Sequence, residues 1–589
     1  MSGEPTGAIP GMMNVDSLGC NLSDNQVVTF LMAETDLVHP NFGFSSLAPF
    51  LEVVAKEEVQ EILNKAVLRY RGPGGAIAVV KDGEVIGQRV WGFADLDQRI
   101  PMTAQTQLPI CSITKQFVCA LLIDLERNPT PTLAAKGDVR RQLSDHLTEI
   151  ISPELTRDGE LTLDRLCDMQ SGMRDYWAMT VLWGCKPDDE FLIARDCGPL
   201  LARTKSFHFQ PGTEYSYCNI NFHVVGRVIE RATGESLGKL LEERILRPAG
   251  MSTAFLCPNT AHHPAPCVGY EGDEKHGFTA AVNRMEWSGD AGLVASLTDM
   301  IAYEKYIDRC YADRQSWYHT AIAAPKFKDS TPARYRYGLG HTDINGVNTI
   351  GHGGALRGYR VHRRHAPQER LSVVVMFNSD ADGFGPNIEI FRELLEVPQP
   401  ATASIRPAAD WVGVFLDQDT QLSIVITKGR RNGEVTISYD GSADPIKLDT
   451  PNHGKSDSMV ATIDGDLLSI HRLGDNRILS AQRIVPKESI FKENTIQGVY
   501  HSAEIESTFH CIGEGGMLYG AFDGFLGQGN ATPMKYLGDD IWALTCPRGL
   551  DAPAPGDWTI VFSRDEDDAI QGFTIGCWLA RRIDYVKKV

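Results

Sequence analysis

The sequence predicts a multi-domain α/β + all-β chain, an α/β domain followed by two antiparallel β-barrel domains. Three observations predict it. The chain has 589 residues, too many for one hydrophobic core. Strand signals stand at both ends of the first two-thirds with helical signals between them, as when distant segments share one sheet. Beyond the connector Glu396-Val-Pro-Gln-Pro-Ala-Thr-Ala-Ser-Ile-Arg-Pro407, only short strands remain, separated by Gly, Asp and Asn turns.

The elements follow in order. The first ~45 residues are rich in Gly, Pro, Ser and Asn and read as an extension, 1–47, without periodicity. The α/β domain spans 48–397. An amphipathic helix is expected from Pro49, with Val53, Val54, Val59, Ile62, Leu63 and Val67 on one face, ending at Gly72-Pro73-Gly74-Gly75. Strands Ala76 to Lys81 and Val85 to Trp91 make a hairpin around Asp82-Gly83. Helices are expected over Lys115 to Glu126, Asn219 to Ala232, Leu237 to Ile245 and Asn387 to Leu395, with a buried strand at Leu371 to Phe377. The pattern Trp411-Val-Gly-Val-Phe415 returns as Ile496-Gln-Gly-Val-Tyr500, which suggests two similar β-units, 408–488 and 489–589, parted near Ser489.

Composition narrows the function. The net charge of −19 argues against nucleic acid and against anionic membranes. No run approaches the roughly 18–20 apolar residues that span a bilayer. The start, Met1-Ser2-Gly3-Glu4-Pro5, has no basic stretch followed by an apolar one, so no secretory signal is expected. Thirteen singly scattered cysteines fit reduced thiols in the cytoplasm. No metal-binding spacing occurs, and no cofactor is expected. His262-His263, among prolines, reads as a surface loop.

The chemistry rests on Ser112-Ile-Thr-Lys115. A spacing of three at a helix start puts hydroxyl and ammonium on one face, where free backbone N–H groups can meet an oxyanion. A desolvated lysine can act as a base toward serine. Ser-x-x-Lys alone is common: Ser236-x-x-Lys239 and Ser489-x-x-Lys492 also occur, and a capped helix start explains any one of them. Context singles out the first. Tyr217 and Asn219 follow at another helix start, offering a proton carrier and a hydrogen-bonding amide. Gly351-His352-Gly353-Gly354-Ala355 then precedes the last strand, with glycines against which a substrate backbone can lie.

These three elements, in this order, resemble the penicillin-recognising serine hydrolases, which include class C β-lactamases, D,D-carboxypeptidases and related esterases. Ser112 and Lys115 match the family's first motif, and Tyr217 and Asn219 its Tyr-x-Asn. His352-Gly353-Gly354 stands where most members carry Lys-Thr-Gly, which argues against plain β-lactamase activity because the lysine for a substrate carboxylate is missing. The resemblance covers about residues 48 to 395. With Arg174-Asp-Tyr-Trp177, Ser288-Gly-Asp-Ala-Gly292 and Gly576-Cys-Trp-Leu-Ala-Arg581, the longer chain is similar to the D-stereospecific aminopeptidase branch.

That resemblance implies release of an N-terminal D-amino acid from small peptides, amides or esters through an acyl-enzyme, and a possible homodimer. Ser112 would be nucleophile, Lys115 and Tyr217 would share the proton, and Asn219 and His352 would orient substrate. Gly353, Gly354 and Ala355 would line the site, with Ala355 N–H in the oxyanion hole. A loop of the last domain, here 547–557, would restrict the cleft to substrates with a free amine. Asp551, or alternatively Asp290, would meet the substrate ammonium; a solvated turn and a capping or core-polar aspartate are the plain alternatives. Cys111 reads as a packed neighbour of the nucleophile. An esterase or D-amino-acid amidase on the same machinery, or a non-catalytic sensor, stays open, as does the identity of the base.

Overall fold

The computed structural model describes residues 56–396, 405–439, 443–486, 493–546, 548–553 and 556–588. The expected helix start at Pro49, most of the Pro-rich connector and the boundary at Ser489 lie outside these residues. The first described helix is Lys56–Arg69, which buries Val59, Ile62, Leu63 and Ala66.

The strands Gly74–Lys81 and Glu84–Asp95 turn at Asp82 and Gly83, both at positive φ (52° and 76°). Gly74–Lys81 then pairs along its length with Leu371–Phe377, from Gly75 opposite Phe377 to Lys81 opposite Leu371. The two ends of the α/β unit are therefore neighbours in one eight-stranded antiparallel sheet, which continues through Tyr359–Ala366, Val347–Leu356 and Leu339–Ile344. Alternation sorts the two faces. Ile77, Val79, Val373 and Val375 pack against the terminal helices Lys56–Arg69 and Phe384–Leu394. Ala76, Ala78, Val374 and Met376 join the core of the helical body.

That body is built on Thr114–Arg127 and Asn219–Thr233, each within two residues of its expected span. Leu237 to Ile245 is not one helix: Leu237–Leu241 gives way to a wider turn, Glu242–Leu246, before Arg247–Ala249. A small three-stranded sheet, Gln107–Pro109, Leu293–Ser296 and Phe255–Leu256, carries the chain to Ser112. The histidine pair divides: His262 is exposed, whereas His263 packs between Trp287 and Tyr359 with both ring nitrogens buried.

Eight strands from Gly413–Asp417 to Arg477–Ile484 close a barrel, sealed by Val414 opposite Ile484. A second ring runs from Gly498–Ser502 to Ala580–Lys587 and closes where Ser507–Glu514 pairs with Met517–Gly524. The repeated sequence pattern thus opens each barrel, with Phe415 and Tyr500 pointing into the cores. Between Ile541–Leu544 and Trp558–Arg564, which are paired, the second ring sends out an excursion. Within the loop expected over 547–557, Arg548–Gly549 pairs with Ala552–Pro553 in a tight hairpin around Leu550 (φ 55°) and Asp551. No helix among the described residues is long and apolar enough to cross a membrane.

Candidate active site

Ser112 lies in the tight turn Cys111–Ile113, one step before the helix Thr114–Arg127 rather than inside it. Ile110 N–H donates to Leu293 O (2.9 Å), and Leu293 N–H donates to Thr114 Oγ1 (3.0 Å). Cys111 sits at φ 50°, an uncommon backbone for a residue with a side chain. This bend leaves Ser112 as the one residue from Ile110 to Ile123 that is not buried. Cys111 itself is sealed, and burial pushes its thiol up to about 12, so it is a packed neighbour.

Lys115 is fully buried. Its Nζ lies 2.9 Å from Ser112 Oγ, 2.8 Å from Asn219 Oδ1 and 2.7 Å from the Asp290 carbonyl. Burial pulls its pKa down to about 8, against the opposing pull of the Asp290 and Asp175 carboxylates. The two carbonyl oxygens only accept. A neutral amine therefore spends both N–H bonds on them and turns its lone pair to the Ser112 hydroxyl. Tyr217 lines the cleft beside Ser112 with its ring centroid 5.0 Å from Lys115 Nζ, and burial holds its phenol well above 10, so it stays protonated.

Asp175 was given no role by the sequence, yet it sets this arrangement. One carboxylate oxygen caps the helix Tyr176–Leu182 through Trp177 and Ala178 N–H, and the other accepts from both the backbone and the side-chain amide of Asn219. Asn219 is thereby held with its oxygen toward Lys115. Burial raises Asp175 to about 6. Its signal was the position before Tyr176, a plain N-cap; the partner, Asn219, is remote in sequence.

His352, Gly353, Gly354 and Ala355 run along Val347–Leu356 and line a cleft of about 400 Å³ with Ser112, Tyr217 and Asn219. A Cβ on Gly354 would come within 2.2 Å of Ile110 O, so only glycine lets this strand approach the nucleophile turn. His352 has both nitrogens occupied: Nδ1 donates to Gly353 O, and Nε2 accepts from Tyr335 O–H at 2.9 Å. Burial and nearby Lys115 depress it to about 3. It is neutral and cannot replace a lysine as a cation.

The two aspartates suggested for the substrate ammonium are not on the cleft wall. Asp290 is fully buried, with Oδ2 accepting from Tyr176 O–H (2.6 Å) and Oδ1 from Ser288 N–H (2.9 Å). Asp551 Oδ2 accepts from Thr260 Oγ1 and Arg284 N–H, both at 2.8 Å, and from Met285 N–H at 3.1 Å. It is 1% exposed, and burial raises its pKa. Asp551 anchors the excursion, which Arg548 also ties to Glu271 and which accepts from Arg357 N–H at the Asp551 carbonyl (3.0 Å). What reaches the cleft is the next pair, Ala552 and Pro553, which line it together with Trp177 and Trp287. The acidic side chain lining the cleft is the exposed Asp382, which caps Phe384–Leu394. Among the described residues, no group of three His, Cys, Asp or Glu is placed to hold a metal.

A lysine-paired serine in a cleft between a glycine-rich strand and a helical body is the geometry of the β-lactamase family, whose model ("Beta-lactamase") matches residues 54–395. "D-aminopeptidase, domain B" matches 404–586. A D-aminopeptidase of Brucella melitensis biotype 2 is 40% identical over 550 residues, covering 93% of this chain and 99% of that one. The chain belongs to the D-aminopeptidase family. The D-aminopeptidase of Brucella anthropi is also 40% identical, over 88% of this chain and 95% of its own. Among solved structures, the octameric penicillin-binding protein homologue of Pyrococcus abyssi aligns with 72% of this chain and 99% of its own at 19% identity, TM-score 0.49. Membership makes the protein a serine hydrolase, as the sequence motifs implied.

Proposed function

We propose that this serine hydrolase releases an N-terminal D-amino acid from small peptides, amides or esters through an acyl-enzyme. The observation that carries the reading is the Lys115 amine, spent on two carbonyl oxygens and directed at Ser112, in a cleft narrowed by the last barrel. Lys115 takes the Ser112 proton as Oγ attacks the substrate carbonyl. Tyr217, a phenol beside the same oxygen, passes its proton to the leaving amine and regains one from the water that later attacks the acyl group, while Lys115 returns its proton to the departing Ser112 Oγ. Ser112 and Ala355 N–H receive the oxyanion, at ~2.7–4 kcal/mol per donor.

Selectivity for a free amine is read as mainly steric. Asp551 is consumed by Thr260, Arg284 and Met285, so the excursion works through the bulk of Ala552 and Pro553, with Asp382 as the carboxylate within reach of an ammonium. The D preference follows the relatives named above. The domain limits 48–397, 408–488 and 489–589 belong to the same proposal. So does a cytoplasmic location, which suits twelve described cysteines that are all free.

Hydrolysis of D-alanine and L-alanine p-nitroanilides, side by side with Ser112→Ala, tests the reading. Release from the D form alone, lost in the variant, is expected. Cleavage of simple esters with neither anilide touched would replace it by an esterase. Lys115→Ala is expected to remove at least 99% of turnover without loss of the folded circular-dichroism signal; normal turnover would sink the assignment of the base.

A further inference from the structure

The helix Asn219–Thr233 serves the cleft at its first residue and a second cavity farther along. His223, Arg227 and Arg231 follow Asn219 at intervals of four, which carries the row around the helix away from Ser112. They line a cavity of about 420 Å³ whose remaining walls include Ile150, Ile151, Ile193 and Leu201. Nothing in the proposed reaction uses it.

Its polar lining sets His223, Arg227 and Arg231 beside Glu149 and Ser152, and two of its buried nitrogens are without a partner. His223 is 1% exposed, and its Nε2 lies 2.9 Å from Cys197 Sγ. Burial holds the Cys197 thiol up at about 12 and His223 down at about 4. Across neutral pH the thiol therefore keeps its proton and the imidazole is uncharged; with the thiol as donor to Nε2, the ring proton sits on Nδ1. That Nδ1 is buried and has no partner in the chain. Arg227 repeats the pattern: its Nη2 donates to Ser288 Oγ and pairs with Glu230, both at 2.9 Å, while its buried Nε has no partner. An unpaired buried donor is costly, so two on one wall call for an acceptor from outside the chain. At the rim Arg231, half exposed, has Glu149 at 3.9 Å as its ion partner, and Glu149 also holds His146.

We propose that this cavity binds a small carboxylate carried on a short aliphatic body. The oxygens meet His223 Nδ1 and Arg227 Nε, the alkyl part lies on the isoleucine and leucine wall, and Arg231 adds a cation at the mouth. A carboxylate fits better than a bare inorganic anion because four of the lining side chains are branched aliphatics.

Titration calorimetry of the full chain with isovalerate at neutral pH tests this, with isoamyl alcohol as the same alkyl body lacking the carboxylate. Saturable one-to-one binding of isovalerate is expected, and none of the alcohol. Ala202→Trp fills the mouth and is expected to weaken binding at least tenfold while anilide hydrolysis at Ser112 persists. Arg231→Gln, a change at an exposed position, is expected to weaken it about threefold even if the tryptophan variant fails to fold. Absence of saturable heat overturns the proposal. So does equal binding of the alcohol, or an affinity unchanged in the variants, which would put the ligand elsewhere, such as the catalytic cleft.

Discussion

The first barrel buries Trp411, Phe415, Ile437 and Ile470 in a core of its own, whereas the buried residues of the second are continuous with the core of the α/β unit. Both rings have eight paired strands, and both open with the same sequence pattern. They meet each other through a small patch of Leu416, Ile484, Leu537, Ile541 and Ala543. The second barrel reaches much further into the hydrolase. Trp183 Nε1 donates to Ile505 O, Arg174 donates to the carbonyls of Arg581 and Arg582, and Gly184 lies so near Gly527 that a Cβ would come within 2.2 Å of its carbonyl oxygen. Equal strand count thus hides unequal standing: one barrel is an attachment, and the other is part of the wall of the cleft.

The largest expected effect comes from opposite tryptophans. Trp411 and Trp558 are both fully buried, each in its own barrel. Either tryptophan replaced by alanine is expected to cost about 3–5 kcal/mol. Trp558→Ala, at the base of the excursion, should lower kcat/KM for the D-anilide at temperatures where the protein is still folded. Trp411→Ala should leave it within about twofold. Calorimetry paired with initial rates checks both, and equal kinetic losses would erase the distinction between the barrels.

A smaller effect is expected at the anchor. Asp551→Ala leaves the Arg284 N–H without its acceptor, at about 1–3 kcal/mol, while Thr260 and Met285 keep their bonds to each other. The loosened hairpin should admit N-acetylated substrates better than the wild type does. Asp551→Asn keeps one oxygen for those donors and should retain most of the selectivity. Measured kcat/KM ratios for free and acetylated D-alanine anilides decide this; an unchanged ratio in the alanine variant would remove the second barrel from specificity.

The smallest effect separates the cleft from either barrel. Lys115, lowered to about 8, must lose its proton to act as base, so kcat/KM should fall about tenfold per pH unit below that value and level off above it. The Asp290 carboxylate favours the charged ammonium and so raises this pKa. Asp290→Asn should move the acid limb to lower pH by less than about one unit. A move to higher pH would mean that the group titrating is not Lys115.

Local spacing was enough to read much of this molecule. Ser112 to Lys115, Tyr217 to Asn219 and His352 to Gly354 are each short enough for helix or strand geometry to fix which side chains share a face. Strand alternation and turn residues likewise located the hairpin at Asp82-Gly83 and the first strand of each barrel. Burial could not be read in that way. The carboxylates of Asp290 and Asp551 looked like ammonium ligands because sequence shows a charge without its partners. Tyr176, Thr260, Arg284 and Met285 lie more than 100 positions from those partners, and only packing brings them together. The same holds for Asp175 on Asn219, for the tautomer that Tyr335 and Gly353 impose on His352, and for the lowered pKa of Lys115. The sequence by itself determined the order of the parts and which side chains carry the chemistry, since these depend on covalent spacing. The tertiary structure decided which charges are sealed, which donors are spent and which barrel shapes the cleft, because desolvation and hydrogen-bond partnership arise only from non-local contact.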